Sequence, residues 1–442
     1  MKLVFQPSGT ADNLLSAPNV GSESWWEHIA SLGTPIIEVT RNQQVQTTFF
    51  WRDPYGDEQN SDFRKIYIDI NGITNHHRPD PQSLQRLPET DIWYWSVNLE
   101  DDWRGSYRFI PVTDAYLPPE FSDESKQRNQ QQREWWISLF PLSIPDPLNL
   151  QSHHRNGLSL PLSAIHMPKA PEQTVWVLID GINPNHIGQA DKREPLLLHW
   201  NSNRLNNQRR VWLYSTGEES EEETGKATTS PRPLIILLDG LNWAERMPIF
   251  PVIDAATEKR QIPEAVWLLI DVIDMPHRER ELPCNPDFWQ AIQDELLPLV
   301  AQHAAFSDDP EQTVIAGQSY GGLAALYAAL HWPQRFGCVL TQSGSFWWPD
   351  SKIVRQFISS AEHKPGWLTQ QLLEQKVMPS SLKIFQEAGS READIHFVNE
   401  QMHAALQEAG HNVNYRVFNG GHDVLCWRGG LIDGLSWLLA EK

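Results

Sequence analysis

The chain has 442 residues, 40% of them hydrophobic, more than one core usually organises, so two domains are expected. Its formal charge of −20 opposes the positive field that nucleic acid and anionic membrane surfaces require, and no apolar run is long enough to span a bilayer. The start, MKLVFQPSGTADNLL, lacks the apolar stretch of a secretory signal, and the three cysteines, Cys284, Cys338 and Cys426, are widely spaced without a CxxC pair, which suits a reducing, cytoplasmic setting better than disulfides or zinc.

The first part of the chain, residues 1–190, reads as all-β. VQTTFFWRDPYGDE ends an extended run on a turn signal. In FRKIYIDINGITNHH, Ile66, Ile68 and Ile70 alternate with Lys65, Tyr67 and Asp69, the period of a half-buried strand. TDIWYWSVNLEDDWRGSYRFIP supplies two more strands around Asp101-Asp102 and Gly105. Short strands with frequent turns predict a β-sandwich. REWWISLFPLSIPDPLN then leads into a Pro-rich, poorly periodic connector that runs to about residue 190. The bland reading of most of the 20 tryptophans is core packing.

From residue 191 to 442 the pattern changes. RRVWLYST, LIILLDG, AVWLLIDVI, TVIAGQS, CVLTQSGSF, LKIFQEAG and NYRVFNGGH are short, mostly continuous apolar runs, as in strands buried on both faces. Helical segments lie between several of them. PDFWQAIQDELLPLVAQH puts Phe288, Ile292, Leu296 and Val300 on one face, and HFVNEQMHAALQEAG stops at Gly410. The alternation predicts a mostly parallel α/β sheet with flanking helices. GEESEEETGKATTSPRP, between the first two runs, reads as a solvated loop.

Within that second part, Gly317-Gln318-Ser319-Tyr320-Gly321 lies where an apolar strand meets an Ala- and Leu-rich helix. A sharp strand-to-helix turn there holds one side chain exposed, and the N–H after the Ser faces an oxyanion. Ser319 is therefore the candidate nucleophile. In hydrolases of this architecture an acid and then a His follow the Ser, each on a loop after a late strand. Among the 16 histidines, His422 alone combines a late position, a strand-end loop and a following helix. The acid is expected after LKIFQEAG, with Glu392 the first choice and Asp394 the alternative, and a Ser–His dyad stays open. Tyr320 supplies one oxyanion N–H. The second is expected from the backbone at Gly240 or Leu241, in LIILLDGLNWAERMP.

Longer segments carry a more specific signal. AGQSYGGLAALYAALHWPQRFGCVLTQSGSFWWP, LIDVIDMPHRERELPCNPDFW, LLDGLNWAERMP and NGGHDVLCWRGG resemble the enterochelin (enterobactin) esterases. In the first part FFWRDPYGDE, LQRLPETDIWYW, WRGSYRFIP and DPLN extend the resemblance over nearly the whole chain. The departures are the acidic insert near 217–230 and much of 115–135 and 175–195. The resemblance implies an immunoglobulin-like β-sandwich before an α/β-hydrolase domain. It implies cytoplasmic hydrolysis of the tri-serine lactone of a catecholate siderophore to 2,3-dihydroxybenzoylserine units, which weakens the iron complex. Ser319 matches the family's nucleophile, His422 its base, and Glu392 best matches its acid. No cofactor and no enzyme-bound metal are implied, because iron arrives with the substrate. No nucleic-acid or membrane partner is expected, and oligomeric state is left open.

Ferric catecholates are anionic and aromatic. His277, Arg278, Arg391 and Arg428, beside Trp347, Trp348 and Trp427, are the candidates to clamp catecholate oxygens and stack on rings. The opposing reading pairs these arginines with nearby carboxylates. Two rival functions remain: an aryl-ester (feruloyl-type) hydrolase with the same catalytic residues, and a binding module with a vestigial hydrolase.

Overall fold

The computed structural model describes residues 2–39, 45–75, 78, 80–151, 153–155, 160–180, 193–217, 231–355 and 359–440. Most of the charged connector, and much of the departure near 175–195, lie outside these residues. The chain divides into two compact units. The first comprises Met1–Ile187 together with Asn419–Cys426, and the second comprises Gly188–Phe418 and Trp427–Lys442. The short segment 419–426 thus belongs to the first unit although it lies within the sequence of the second. Among the described residues no helix is long and apolar enough to cross a membrane.

In the first unit the strands are β1 (Ile36–Val39), β2 (Val45–Arg52), β3 (Phe63–Ile70), β4 (Ser83–Arg86), β5 (Ile92–Leu99), β6 (Arg104–Thr113), β7 (His154–Arg155) and β8 (Pro161–His166). They form one eight-stranded sheet in the order β1-β2-β5-β4-β3-β6-β8-β7. Every pairing in it is antiparallel. Phe49 of β2 nevertheless touches Tyr107 of β6, ring centroids 5.0 Å apart, although three strands separate them in the sheet order. Both belong to one buried cluster with Trp51, Ile66, Ile68 and Trp103.

The all-β expectation needs correction. Helices α1 (Thr10–Leu15), α2 (Glu23–Leu32) and α3 (Ser125–Ser138) accompany the sheet, and β8 lies in the stretch read as an irregular connector. Helix α3 also explains a local failure of alternation. Tyr67, placed on the wet face by its period, is fully buried because Trp135 and Trp136 of α3 pack on it at 5.9 and 5.6 Å.

In the second unit the strands are β9 (Leu196–Ser202), β10 (Asn207–Ser215), β11 (Leu234–Leu237), β12 (Val266–Ile270), β13 (Thr313–Gln318), β14 (Cys338–Gln342), β15 (Lys383–Gly389) and β16 (Asn412–Phe418). Their order is β16-β15-β14-β13-β11-β12-β10-β9. Parallel pairing joins β11 to β16, while β10 is antiparallel to both neighbours. The helices are α4 (Phe250–Glu258), α5 (Met275–Glu281), α6 (Pro286–Ala291), α7 (Leu297–Val300), α8 (Tyr320–His331), α9 (Lys352–Arg355), α10 (Trp367–Leu373), α11 (Asp394–Glu408) and α12 (Val424–Leu438). Strands β11 to β14 are buried along their whole length, which is why their sequences run apolar without alternation.

The single helix expected over 286–303 is broken into α6, a π-turn at Ile292–Leu296 and α7. Pro298 has no N–H for the carbonyl four residues back, so the regular ladder cannot continue there. The expected face survives the break: Phe288, Ile292, Leu296 and Val300 are all buried.

Candidate active site

At the end of β13 the chain turns into α8 through Ser319, whose backbone has φ 58° and ψ −119°. A residue with a Cβ is held at such angles only when its surroundings over-determine them. Gly317 shows how: a Cβ there would collide with the backbone of Gly321, so no other residue lets strand and helix approach so closely. The turn is pinned from the side by β14 and the loop after it. Ser319 N donates to Gln342 O at 3.0 Å, Ser345 N donates to Ser319 O at 3.0 Å, and the two hydroxyls lie 3.2 Å apart.

Next to β13, strand β11 leads to Asp239, at φ 57°, and then to Gly240 and Leu241. Arg278 of α5 grips the Asp239 carboxylate with Nε to Oδ1 at 2.6 Å and Nη2 to Oδ2 at 2.8 Å. Its Nη2 also reaches Gln318 O at 3.4 Å. The pair is nearly enclosed, and the guanidinium lies 5.6 Å from the Tyr320 ring. The expected substrate clamp is thus engaged by a carboxylate 39 residues away, and it braces the turn that carries the oxyanion candidates.

The loop after β15 separates the two candidate acids. Glu392 is buried, and its Oε2 accepts from Ser343 Oγ at 2.7 Å and from Gly389 N at 2.6 Å. Ser343 itself sits at φ 49° after β14 and receives Trp427 Nε1 on its hydroxyl at 2.9 Å. Asp394 opens α11, and its carboxyl is pushed above the usual range by burial, with His363 opposing. A carboxylate held by two donors is the better fixed of the two.

Beneath these turns runs a lateral row that the sequence reading missed. Gln318, Gln342, Glu387 and Arg416 stand in register on β13, β14, β15 and β16. Trp243 Nε1 donates to Gln318 Oε1 at 3.1 Å, Gln318 Nε2 to Gln342 Oε1 at 2.7 Å, and Gln342 Nε2 to Glu387 Oε1 at 2.5 Å. Arg416 Nη2 closes on Glu387 Oε2 at 2.6 Å, and its Nη1 reaches Asp433. Burial raises the Glu387 carboxyl above its usual value, with Arg416 acting against it. Such a chain holds the strand ends that bear Ser319 and Ser343 at one level. Its members are scattered polar residues in apolar runs, a signal visible only once the strands are aligned.

The other predicted contacts are distributed unevenly. His277 Nδ1 lies 2.6 Å from Asp274 Oδ1, at the N-cap of α5. Arg391 is exposed. Arg428 is buried, only 1% of it accessible, and its Nη1 is 3.8 Å from Met247 Sδ. Trp347 is buried against Tyr320 with centroids 5.5 Å apart, and its Nε1 has no hydrogen-bond partner among the described residues. Trp348 packs edge-on to Trp367 at 6.2 Å. Among the described residues no group of His, Cys, Asp or Glu side chains is placed to hold a metal.

His422 lies in the segment that belongs to the first unit. It is half-buried, and its backbone carbonyl accepts from Asn71 Nδ2 at 2.7 Å. Asp423, beside it, is buried and bonded to Ser106.

Comparison with known proteins settles the family. The model for the enterochelin esterase N-terminal domain matches residues 46–176, and the Esterase model matches residues 202–438. The iron(III) enterobactin esterase of Dickeya dadantii is 54% identical over 437 residues, 98% of this chain and 97% of that protein. The chain belongs to the enterobactin esterase family. The crystal structure of the ferric enterobactin esterase from Salmonella typhimurium superimposes with a TM-score of 0.81 at 43% identity, covering 94% of this chain and 98% of that one. The enterobactin esterase of Shigella flexneri, solved in the presence of enterobactin, gives 0.77 at 43% identity, covering 95% and 98%. Membership makes this chain a carboxylic ester hydrolase with an esterase-family fold built on two large sheets.

Proposed function

We propose that this chain is a serine esterase that hydrolyses the tri-serine lactone esters of enterobactin, iron-loaded or iron-free, to 2,3-dihydroxybenzoylserine units. The observation that carries this reading is the near-complete match to an iron(III) enterobactin esterase at 54% identity, together with a Ser319 strained as a nucleophile elbow requires. Cleaving the lactone unlinks the three catecholate arms, which lowers the effective concentration that holds them on iron and eases its release. We assign the action to the cytoplasm, in keeping with three cysteines spaced far apart in the sequence without a CxxC pair.

In the proposed reaction His422 removes the Ser319 hydroxyl proton as the oxygen attacks a lactone carbonyl. The Tyr320 N–H and a backbone N–H at Gly240 or Leu241 hold the oxyanion, a role supported by the fixed turn at Asp239. His422 then protonates the leaving serine hydroxyl, and water activated by the same imidazole releases the acyl group. Glu392 orients the base and balances its charge, a role its two anchoring donors favour over Asp394. Aromatic contact through Trp347, Trp348 and Trp427, and cationic contact through Arg391 and His277, suit an anionic catecholate.

We also read the first sheet as an immunoglobulin-like sandwich. The Phe49–Tyr107 contact between strands distant in the sheet order supports folding of the sheet over on itself. Incubating enterobactin with the purified protein and following products by mass spectrometry tests the function. Linear trimer, dimer and monomer of 2,3-dihydroxybenzoylserine are expected. Intact enterobactin beside turnover of feruloyl esters would replace this reading with the aryl-esterase one.

A further inference from the structure

We propose that Asn71, Ser106 and Asp423 are positioning residues for the general base. The inference rests on reading His422 as the base. The loop 419–426 leaves β16 and enters α12, yet it packs as part of the first unit. Its hydrogen bonds show why. Arg104 N donates to Asn419 O at 3.2 Å, and Asn419 Nδ2 donates to Asp102 Oδ1 at 2.6 Å. Asn71 Nδ2 donates to His422 O at 2.7 Å. Ser106 donates to Asp423 twice, from N to Oδ2 at 2.7 Å and from Oγ to Oδ1 at 2.9 Å. Gln173 Nε2 reaches Leu425 O at 2.9 Å.

Two of these contacts matter most, because they grip the backbone on the carboxyl side of the His422 Cβ. Asn71 holds its carbonyl, and the Asp423 side chain, tied also to Leu425 N at 2.9 Å, fixes the next residue. Gly421 completes the grip from the other side: a Cβ there would meet the Asn71 side chain and lie 2.9 Å from its carbonyl carbon. With the main chain fixed, only two side-chain torsions of the base are left to set. Asn71 and Ser106 are themselves bonded, Asn71 N to Ser106 O at 3.2 Å, at the end of the β3–β6 pairing. The anchor is therefore a strand end and not a second loop.

The chemistry of the anchor is also specific. Ser106 gives its hydroxyl proton to Asp423, so its contact with His154 Nε2 at 2.9 Å must be a bond donated by His154. Both Ser106 and Asp423 are buried, at 3% and 4% exposure, where a bond to a carboxylate is strong and a lost partner costly. A misplacement of about 1 Å in a proton-transfer group costs on the order of a hundredfold in rate.

The test uses the full-length protein with Ser106→Ala, Asn71→Asp and Asp423→Asn, alone and combined with His422→Ala. Turnover is measured on enterobactin and on p-nitrophenyl acetate, a small ester that needs few contacts beyond the reacting groups. Each single variant should lower kcat by roughly ten- to a hundredfold on both substrates, with KM within about twofold. In the His422→Ala background the same substitutions should have no further effect, because residues that act through the base lose their role when it is gone. Ser106→Ala leaves the Asp423 carboxylate bonded to two backbone N–H groups and so reports even where Asp423→Asn fails to fold. Variants that keep kcat within twofold, or that slow His422→Ala equally, overturn the proposal. Full activity of His422→Ala itself instead overturns the assignment of the base on which it rests.

Discussion

Arg278 and Asp239 form a two-pronged ion pair, 2.6 and 2.8 Å, directly before the backbone expected to hold the oxyanion. Both side chains are largely buried, so removing one strands the other's charge. Arg278→Met is expected to cost about 3–5 kcal/mol of stability, seen in denaturant unfolding. It should lower kcat far more than it raises KM. A rise in KM for enterobactin alone would return Arg278 to the substrate-contact role. Adding Asp239→Asn to Arg278→Met should recover part of the lost stability.

The strain at Ser319 separates chemistry from folding. Ser319→Ala and Ser319→Gly should both reduce turnover at least a hundredfold, as loss of a nucleophile does. At φ 58° and ψ −119°, only the glycine variant relieves the backbone, by roughly 1–3 kcal/mol. Thermal unfolding should therefore place the melting temperature of Ser319→Gly above that of Ser319→Ala. Equal melting temperatures would show that the elbow carries no strain.

For the acid, Glu392→Gln and Asp394→Asn are to be compared on one ester. Glu392 takes two donors on one oxygen, leaving its orientation set by the fold, and the larger fall in kcat is expected there. Ser343→Ala should reproduce part of that loss by releasing Oε2. A greater effect from Asp394→Asn reverses the assignment, and two trivial effects favour a Ser–His dyad.

Asp146, in the first unit, gives a pH signature. Burial pushes its carboxyl up to about 6, although Thr34 and Tyr107 donate to it at 2.5 and 2.6 Å. Its unfolded value lies near the ordinary 3.9, so the native state binds the extra proton between about pH 4 and 6. The associated stability is present in full below about pH 4 and is lost as pH rises through 6, by at most about 3 kcal/mol. Unfolding followed from pH 4.5 to 8 should show this fall in wild type. Asp146→Asn, which cannot titrate, should lack it.

The lateral row and the Asp423 latch show where sequence reading stops. Ser319 is legible as a candidate nucleophile because everything that marks it is contiguous: a buried strand, glycines two residues either side and a helix that begins at once. His422 came from chain order, and its neighbours in sequence disclosed its loop. Nothing local ties Asn71 to residue 422, 351 positions away, or Ser106 to Asp423, 317 away. Nor does an alternation pattern disclose that α3 covers Tyr67 on what its period makes the wet face of β3.

Backbone conformation and burial along one strand are short-range properties, written in residue type and spacing, and the sequence alone determined them for the β13–α8 elbow and the apolar strands around it. Which polar side chains meet is decided by strand register and by which unit a loop packs on. That is why Arg278 turned to Asp239, Arg428 went inside, and the loop bearing His422 was claimed by the N-terminal sheet. Buried polar groups must find partners wherever the fold brings them, and only the tertiary structure says where that is.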